Sequence, residues 1–67
     1  MPNIELLKKK IDDSDLSMVK IADRSGIVRE TLYNRLNGVG QFTCSEVVGL
    51  TKALNLSRAE REDIFFS

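Results

Sequence analysis

The feature that most constrains the fold of this chain is the ordered pattern of apolar, small and polar residues between positions 18 and 38. Gly26 interrupts two apolar-periodic segments at a point where the chain must turn sharply, and glycine adopts a positive φ there without strain. Ile21 and Ile27 border this corner, and Leu32 continues the apolar stripe beyond it. The pattern predicts two short helices joined by a tight turn, which is the layout of a helix-turn-helix.

The second helix of this pair is predicted to have two different faces. At about 100° per residue, three apolar residues fall on one side and are expected to face the core. They are Val28, Leu32 and Leu36. The opposite side is a dense hydrogen-bonding surface made of Arg29, Glu30, Tyr33, Asn34 and Asn37.

The chemistry of that polar side matches the edges of DNA bases. Arg29 has the fork that pairs with guanine O6 and N7, and Asn34 has the fork that pairs with adenine N6 and N7. Glu30 either accepts from cytosine N4 or holds Arg29 or Arg35 in place. Tyr33 either contacts a thymine methyl or a phosphate, or contributes to packing. The alternative is that this face is only the solvated outer side of a helix with a structural role.

The rest of the chain predicts an all-α bundle of five short helices that forms one domain over residues 1–67. Asn3, Ser17, Thr43 and Ser57 each precede a helical pattern and are expected to cap it. Thr43-Cys-Ser-Glu46 and Ser57-Arg-Ala-Glu60 have the spacing of a capping box. The expected helices run from about Ile4 to Asp12, from Ser17 to Ser25, from Arg29 to Leu36, from Thr43 to Leu54 and from Ser57 to Phe65.

Charge and hydropathy limit the partners of the chain. Ten basic and ten acidic side chains give a net charge of zero, whereas nucleic-acid-binding domains are usually basic. If the chain binds DNA, we therefore expect weak non-specific affinity and strong sensitivity to salt. The longest apolar run is Ile64-Phe65-Phe66, which is far too short for a membrane span, and no signal-peptide pattern is present. A cytoplasmic location, without membrane contact, is expected.

Cysteine and histidine usage argues against metal binding and catalysis. Cys44 is the one cysteine and there is no histidine, so neither a disulfide nor a zinc site is expected. Cys44 is predicted to pack in a stripe with Val47, Val48, Leu50 and Leu54, the alternative being a redox-sensitive thiol. No nucleophile and base have suitable spacing, so we expect no enzyme activity, no cofactor and no small-molecule ligand.

These residues together give the chain a family resemblance along nearly its whole length. It resembles the lambda-repressor-like, Cro-like (XRE) phage and prophage regulators. The matching segments are Ile21-Ala22-Asp23, Gly26-Ile27, Thr31-Leu32-Tyr33, Leu36-Asn37-Gly38, Phe42-Thr43-Cys44-Ser45-Glu46 and Ile64-Phe65-Phe66.

The resemblance implies a set of DNA-contacting residues and an operator as partner. The implied base contacts are Arg29, Glu30 and Asn34, with Tyr33 and Val28 beside them. The implied phosphate contacts are Met18, Lys20, Asn37, Gln41 and Thr43. Two positions depart from the family pattern. Met18 stands where glutamine is common, which weakens one anchoring contact, and Val28 stands where serine often caps the second helix of the motif, at a cost of roughly 1 kcal/mol.

The resemblance also implies a homodimer, at least on a palindromic site in double-stranded DNA. Phe65 and Phe66 are expected to contribute to the dimer contact, the alternative being that both rings close a small core. A different kind of function stays open as well, in which the chain keeps this fold but binds another protein through the Tyr33 face or the Phe66 end.

Overall fold

The computed structural model of this chain describes residues 2–66. These residues form five helices and no strand: α1 (Ile4–Asp13), α2 (Met18–Ser25), α3 (Arg29–Leu36), α4 (Cys44–Ala53) and α5 (Arg58–Phe65). The predicted all-α, five-helix architecture is confirmed, and the predicted ends of α1 and α4 differ from the observed ends by one residue. Within the described range, no helix is both long enough and apolar enough to cross a bilayer.

Helix starts are determined locally by side chains that accept hydrogen bonds from the first turn. The Thr43 hydroxyl accepts from the Glu46 amide at 3.2 Å, and the Glu46 carboxylate accepts from the Thr43 amide at 3.0 Å. Ser57 and Glu60 repeat this arrangement at 3.1 and 2.8 Å. Both predicted capping boxes are therefore confirmed, as is the cap that Ser17 provides for α2.

The core is built from apolar side chains of every helix and of the turn between α2 and α3. Its buried members are Leu7, Ile11, Ile21, Ile27, Leu32, Leu36, Val47, Leu50, Ala53, Ile64 and Phe65. Leu32 is fully buried and Leu36 nearly so, so that one side of α3 is held against the other helices.

Close backbone packing brings α2 against α4. Gly49 faces the last turn of α2, and a Cβ at this position would overlap the carbonyl oxygen of Ser25. Gly26, which follows Ser25, has φ +74° and ends α2 in the left-handed conformation, as its place in the sequence predicted. A residue without a side chain at position 49 therefore allows α2 and the following turn to lie directly on α4.

A polar contact and a backbone contact join α1 to α5. The Lys10 ammonium pairs with the Glu60 carboxylate, and the Asn3 amide donates to the Ile64 carbonyl at 2.6 Å. Hydrogen bonds from Lys10, and then from the backbone and side chain of Ser57, lower the pKa of Glu60 to about 2.

The predicted packing of Cys44 and Val48 is wrong. Both side chains are exposed, whereas Val47, Leu50 and Ala53 are buried. At about 100° per residue, Cys44 lies about 120° and Val48 about 160° away from Leu50, which marks the centre of the buried side. The apolar pattern of α4 was broader than the sector that its neighbours cover.

Candidate nucleic-acid interface

The outer side of α3 is polar and open to solvent. Arg29, Glu30 and Asn34 are exposed, and Tyr33 is 47% exposed. Because Leu32 and the following Leu36 are buried on the opposite side, the polar groups project away from the core. The predicted division of α3 into an apolar and a polar side is confirmed for these residues.

Val28 does not lie on the core side of α3, so the prediction for this residue is wrong. It is the N-cap of α3, with φ −58° and ψ 135°, and the residue is 71% exposed. Since Val28 lies outside the helix, the angular spacing of helical residues does not apply to it. Its side chain makes no capping hydrogen bond, and it borders the polar side of α3 at the N-terminal end.

The turn before α3 is held by short-range hydrogen bonds and by buried isoleucines. The Gly26 amide donates to the Ala22 carbonyl at 3.0 Å, and the Ile27 amide donates to the Ser25 hydroxyl at 3.3 Å. Ile21, in α2, and Ile27, in the turn itself, are both buried. These contacts set the direction in which α3 leaves α2.

The residues implied as phosphate contacts are mostly at the surface. Lys20, Asn37, Gln41 and Thr43 are exposed. Met18 is only partly exposed and packs against the hydrophobic core, so its side chain serves the interior and the expected phosphate contact from it is not supported.

The first turn of α4 lies beside the start of α3. A cleft of about 260 Å³ separates them, lined by Ser25, Gly26, Ile27, Val28, Thr31, Ser45 and Glu46. The Thr43 hydroxyl lies 3.1 Å from the Ser45 hydroxyl at the exposed end of α4. Hydroxyl groups at the start of one helix thus border the same surface as the N-terminal end of α3.

An ion pair that sequence reasoning missed connects α3 and α4. Arg35 Nε donates to Glu46 Oε1 at 3.1 Å and Arg35 Nη2 lies 3.5 Å from Glu46 Oε2, while Arg35 Nη1 donates to the Val39 carbonyl at 3.1 Å. The alternative in which Glu30 holds Arg35 is therefore wrong, because Glu46 occupies that guanidinium. The two residues are eleven positions apart, so no helical periodicity could have revealed the pair.

The charges near this surface are mixed. Lys20, Arg24 and Arg29 are exposed, but so are the carboxylates of Asp23 and Glu30. Residues 2–66 contain no group of three His, Cys, Asp or Glu side chains arranged to hold a metal ion. The surface offers hydrogen-bonding groups rather than a strong positive field.

The two aromatic residues expected at a dimer contact have different environments. Phe65 is buried and meets Phe42 edge-on, with ring centroids 5.2 Å apart. Its burial and its contact with Phe42 support the alternative in which this ring closes the core, so the expected dimer contact from Phe65 is not supported. Phe66 is 67% exposed and borders a cleft of about 480 Å³.

Comparison with known proteins finds a relative of this chain. A curated protein from Haemophilus influenzae, described as an uncharacterized protein, is 43% identical over 56 residues. The match covers 81% of this chain and 58% of the relative, so the chain spans little more than half of that protein's length. No family model and no solved structure matches the chain.

Proposed function

We propose that this chain is a sequence-specific DNA-binding transcriptional regulator of the lambda-repressor-like, Cro-like type, and that α3 enters the major groove of an operator. The observation that carries the proposal is the outer side of α3, where Arg29, Glu30, Tyr33 and Asn34 are exposed above buried leucines. A helix supported in this way, directly after a tight turn, fits the docking geometry of helix-turn-helix proteins.

Each group on α3 has a role that follows from its hydrogen-bonding pattern. Arg29 donates to guanine, Asn34 pairs with adenine, and Glu30 accepts from cytosine N4. Tyr33 and the exposed Val28 provide apolar surface for a thymine methyl group. These contacts distinguish one operator from another.

Other groups fix the position of the protein on the duplex without reading the sequence. Lys20, Asn37, Gln41 and Thr43 are exposed and are assigned to phosphates. With a net charge of zero, one subunit gains little long-range attraction to DNA. We therefore propose that two copies bind a palindromic site together, with Phe66 at the contact between them.

The test is selection of bound duplexes from a random pool, followed by titration of the selected site with variants. Arg29→Ala and Asn34→Ala are each expected to weaken binding to that site by about 1–3 kcal/mol and to relax the preference at one base position. Arg58→Ala is the matched control, since it removes the same charge from an exposed position on α5. No enriched sequence, or an equal loss on every duplex, would refute base reading by α3.

The exposed Phe66 beside its cleft favours a second candidate function, an adaptor that binds another protein. In that case partner binding is insensitive to salt and shifts the NMR signals of α5 rather than those of α3. The same titrations followed by NMR distinguish the two functions.

A further inference from the structure

The two ends of α3 are held in different ways. At its start, the turn at Gly26 and the buried Ile27 join α3 to α2. At its end, the last buried side chain is Leu36, after which an exposed stretch, residues 37–41, leads away from the helix. The side chain that joins this end of α3 to α4 by hydrogen bonds is Arg35, through its guanidinium.

That guanidinium is bound on several sides by this chain itself. It donates to both carboxylate oxygens of Glu46 and to the Val39 carbonyl. The Arg35 and Glu46 side chains are only 18% and 14% exposed, so the pair is partly shielded from salt. Gly40 leaves the space that the guanidinium occupies, because a Cβ there would overlap Arg35 Nη1.

Glu46 also accepts a hydrogen bond from the backbone at the start of α4. Its Oε1 atom accepts from the Thr43 amide as well as from Arg35 Nε, at 3.0 and 3.1 Å. One carboxylate therefore joins the last turn of α3 to the first turn of α4. The loop closed by this contact carries three of the residues assigned to phosphates, namely Asn37, Gln41 and Thr43.

We propose that Arg35 and Glu46 are positioning residues that hold the base-reading side of α3 and the phosphate-contacting start of α4 in one fixed geometry. This inference rests on the proposed function. Phosphate contacts set the register of a protein on DNA, while base contacts specify the sequence. If the two groups move relative to each other, they cannot both engage one duplex. By holding the two groups in place, Arg35 affects the sequence preference of the chain without contacting DNA itself.

The test compares three variants on the selected duplex and on a scrambled duplex of the same length. Arg35→Met removes the guanidinium and keeps an apolar stem, Arg35→Lys keeps the charge but lacks the planar fork, and Glu46→Gln keeps an oxygen for the Thr43 amide. Arg58→Met is the matched control on α5. All titrations are made at a temperature at which circular dichroism shows every variant fully folded, and over a range of salt concentrations.

We expect both Arg35 variants and Glu46→Gln to lose about 5- to 150-fold in affinity for the selected duplex, the equivalent of one base contact, with little change on the scrambled duplex. The dependence on salt should stay that of the unsubstituted chain. The double variant Arg35→Met with Glu46→Gln should lose no more than either single one, because the residues act as a unit.

Three results would overturn the inference. If Arg35 itself contacts a phosphate, Arg35→Lys retains binding and Arg35→Met lowers the slope of log affinity against log salt by about 0.9. If the pair serves stability alone, the variants melt earlier but keep their full preference when folded. If the unsubstituted chain selects no sequence, the proposed function fails, and the inference fails with it.

Discussion

Replacing Gly49 by alanine has two opposing effects on the free energy of unfolding, a gain from helix propensity and a loss from steric overlap. In the interior of α4, alanine is preferred to glycine by about 1 kcal/mol. A Cβ at Gly49, however, would overlap the Ser25 carbonyl group and lie 3.3 Å from the Ser25 Cα. These are backbone atoms of a packed helix, so the overlap is relieved only when α2 moves away from α4. Overpacking costs about 1–3 kcal/mol, and backbone collision favours the upper end.

The net effect is a loss of about 2 kcal/mol in the free energy of unfolding, or a fall of about 8–16 °C in the melting temperature. Urea titration followed by circular dichroism measures the first quantity and a thermal scan the second. Val48→Ala is the matched control in the same helix, because Val48 is 51% exposed and its truncation adds no atom that could collide with α2. It should change the free energy of unfolding by less than about 0.5 kcal/mol.

A stabilisation by Gly49→Ala would refute this reasoning. Helix propensity would then act alone, and the close approach of α2 to α4 would be absent in solution. A second consequence can be measured in the same samples. Since α2 carries the turn that directs α3, Gly49→Ala should also weaken the preference for the selected duplex.

Two further predictions concern helix ends. The pKa of Glu60 is about 2 instead of the usual 4.5, so the stability contributed by its ionised form is complete above about pH 4.5 and is lost as the pH falls towards 2. The melting temperatures of the unsubstituted chain and of Glu60→Gln should therefore converge over that interval, and a constant difference would contradict the Lys10 contact. Val28→Ser supplies the cap that α3 lacks and should raise the free energy of unfolding by about 1 kcal/mol in urea titrations, with a decrease arguing against Val28 as the N-cap.

Helix positions and the two sides of α3 could be predicted from the sequence because their causes are local. A capping box involves residues three apart, such as Thr43 and Glu46, and the stripe of Leu32 and Leu36 lies within one turn. Val28 is the exception, because it is the N-cap and lies just outside the helix, where helical spacing does not determine the direction of a side chain.

Which of two neighbouring apolar residues is buried depended instead on the packing of helices. Phe65 and Phe66 are adjacent and chemically identical, yet Phe65 is buried edge-on against Phe42, whereas Phe66 is 67% exposed. Cys44 and Val48 share apolar character with Val47, but both are exposed, because their side of α4 borders an open cleft beside the end of α2. Periodicity orders residues around a helix without showing how wide the covered sector is.

By itself, the sequence determined where the helices begin and end and which groups α3 carries on its polar side, because those properties depend on residues a few positions apart. Only the tertiary structure decided that Glu46 joins Arg35 across eleven residues and that Gly49 admits the backbone of Ser25 from another helix. Such contacts exist only once distant segments have packed together, since their partners are brought close by the whole core rather than by the adjoining chain.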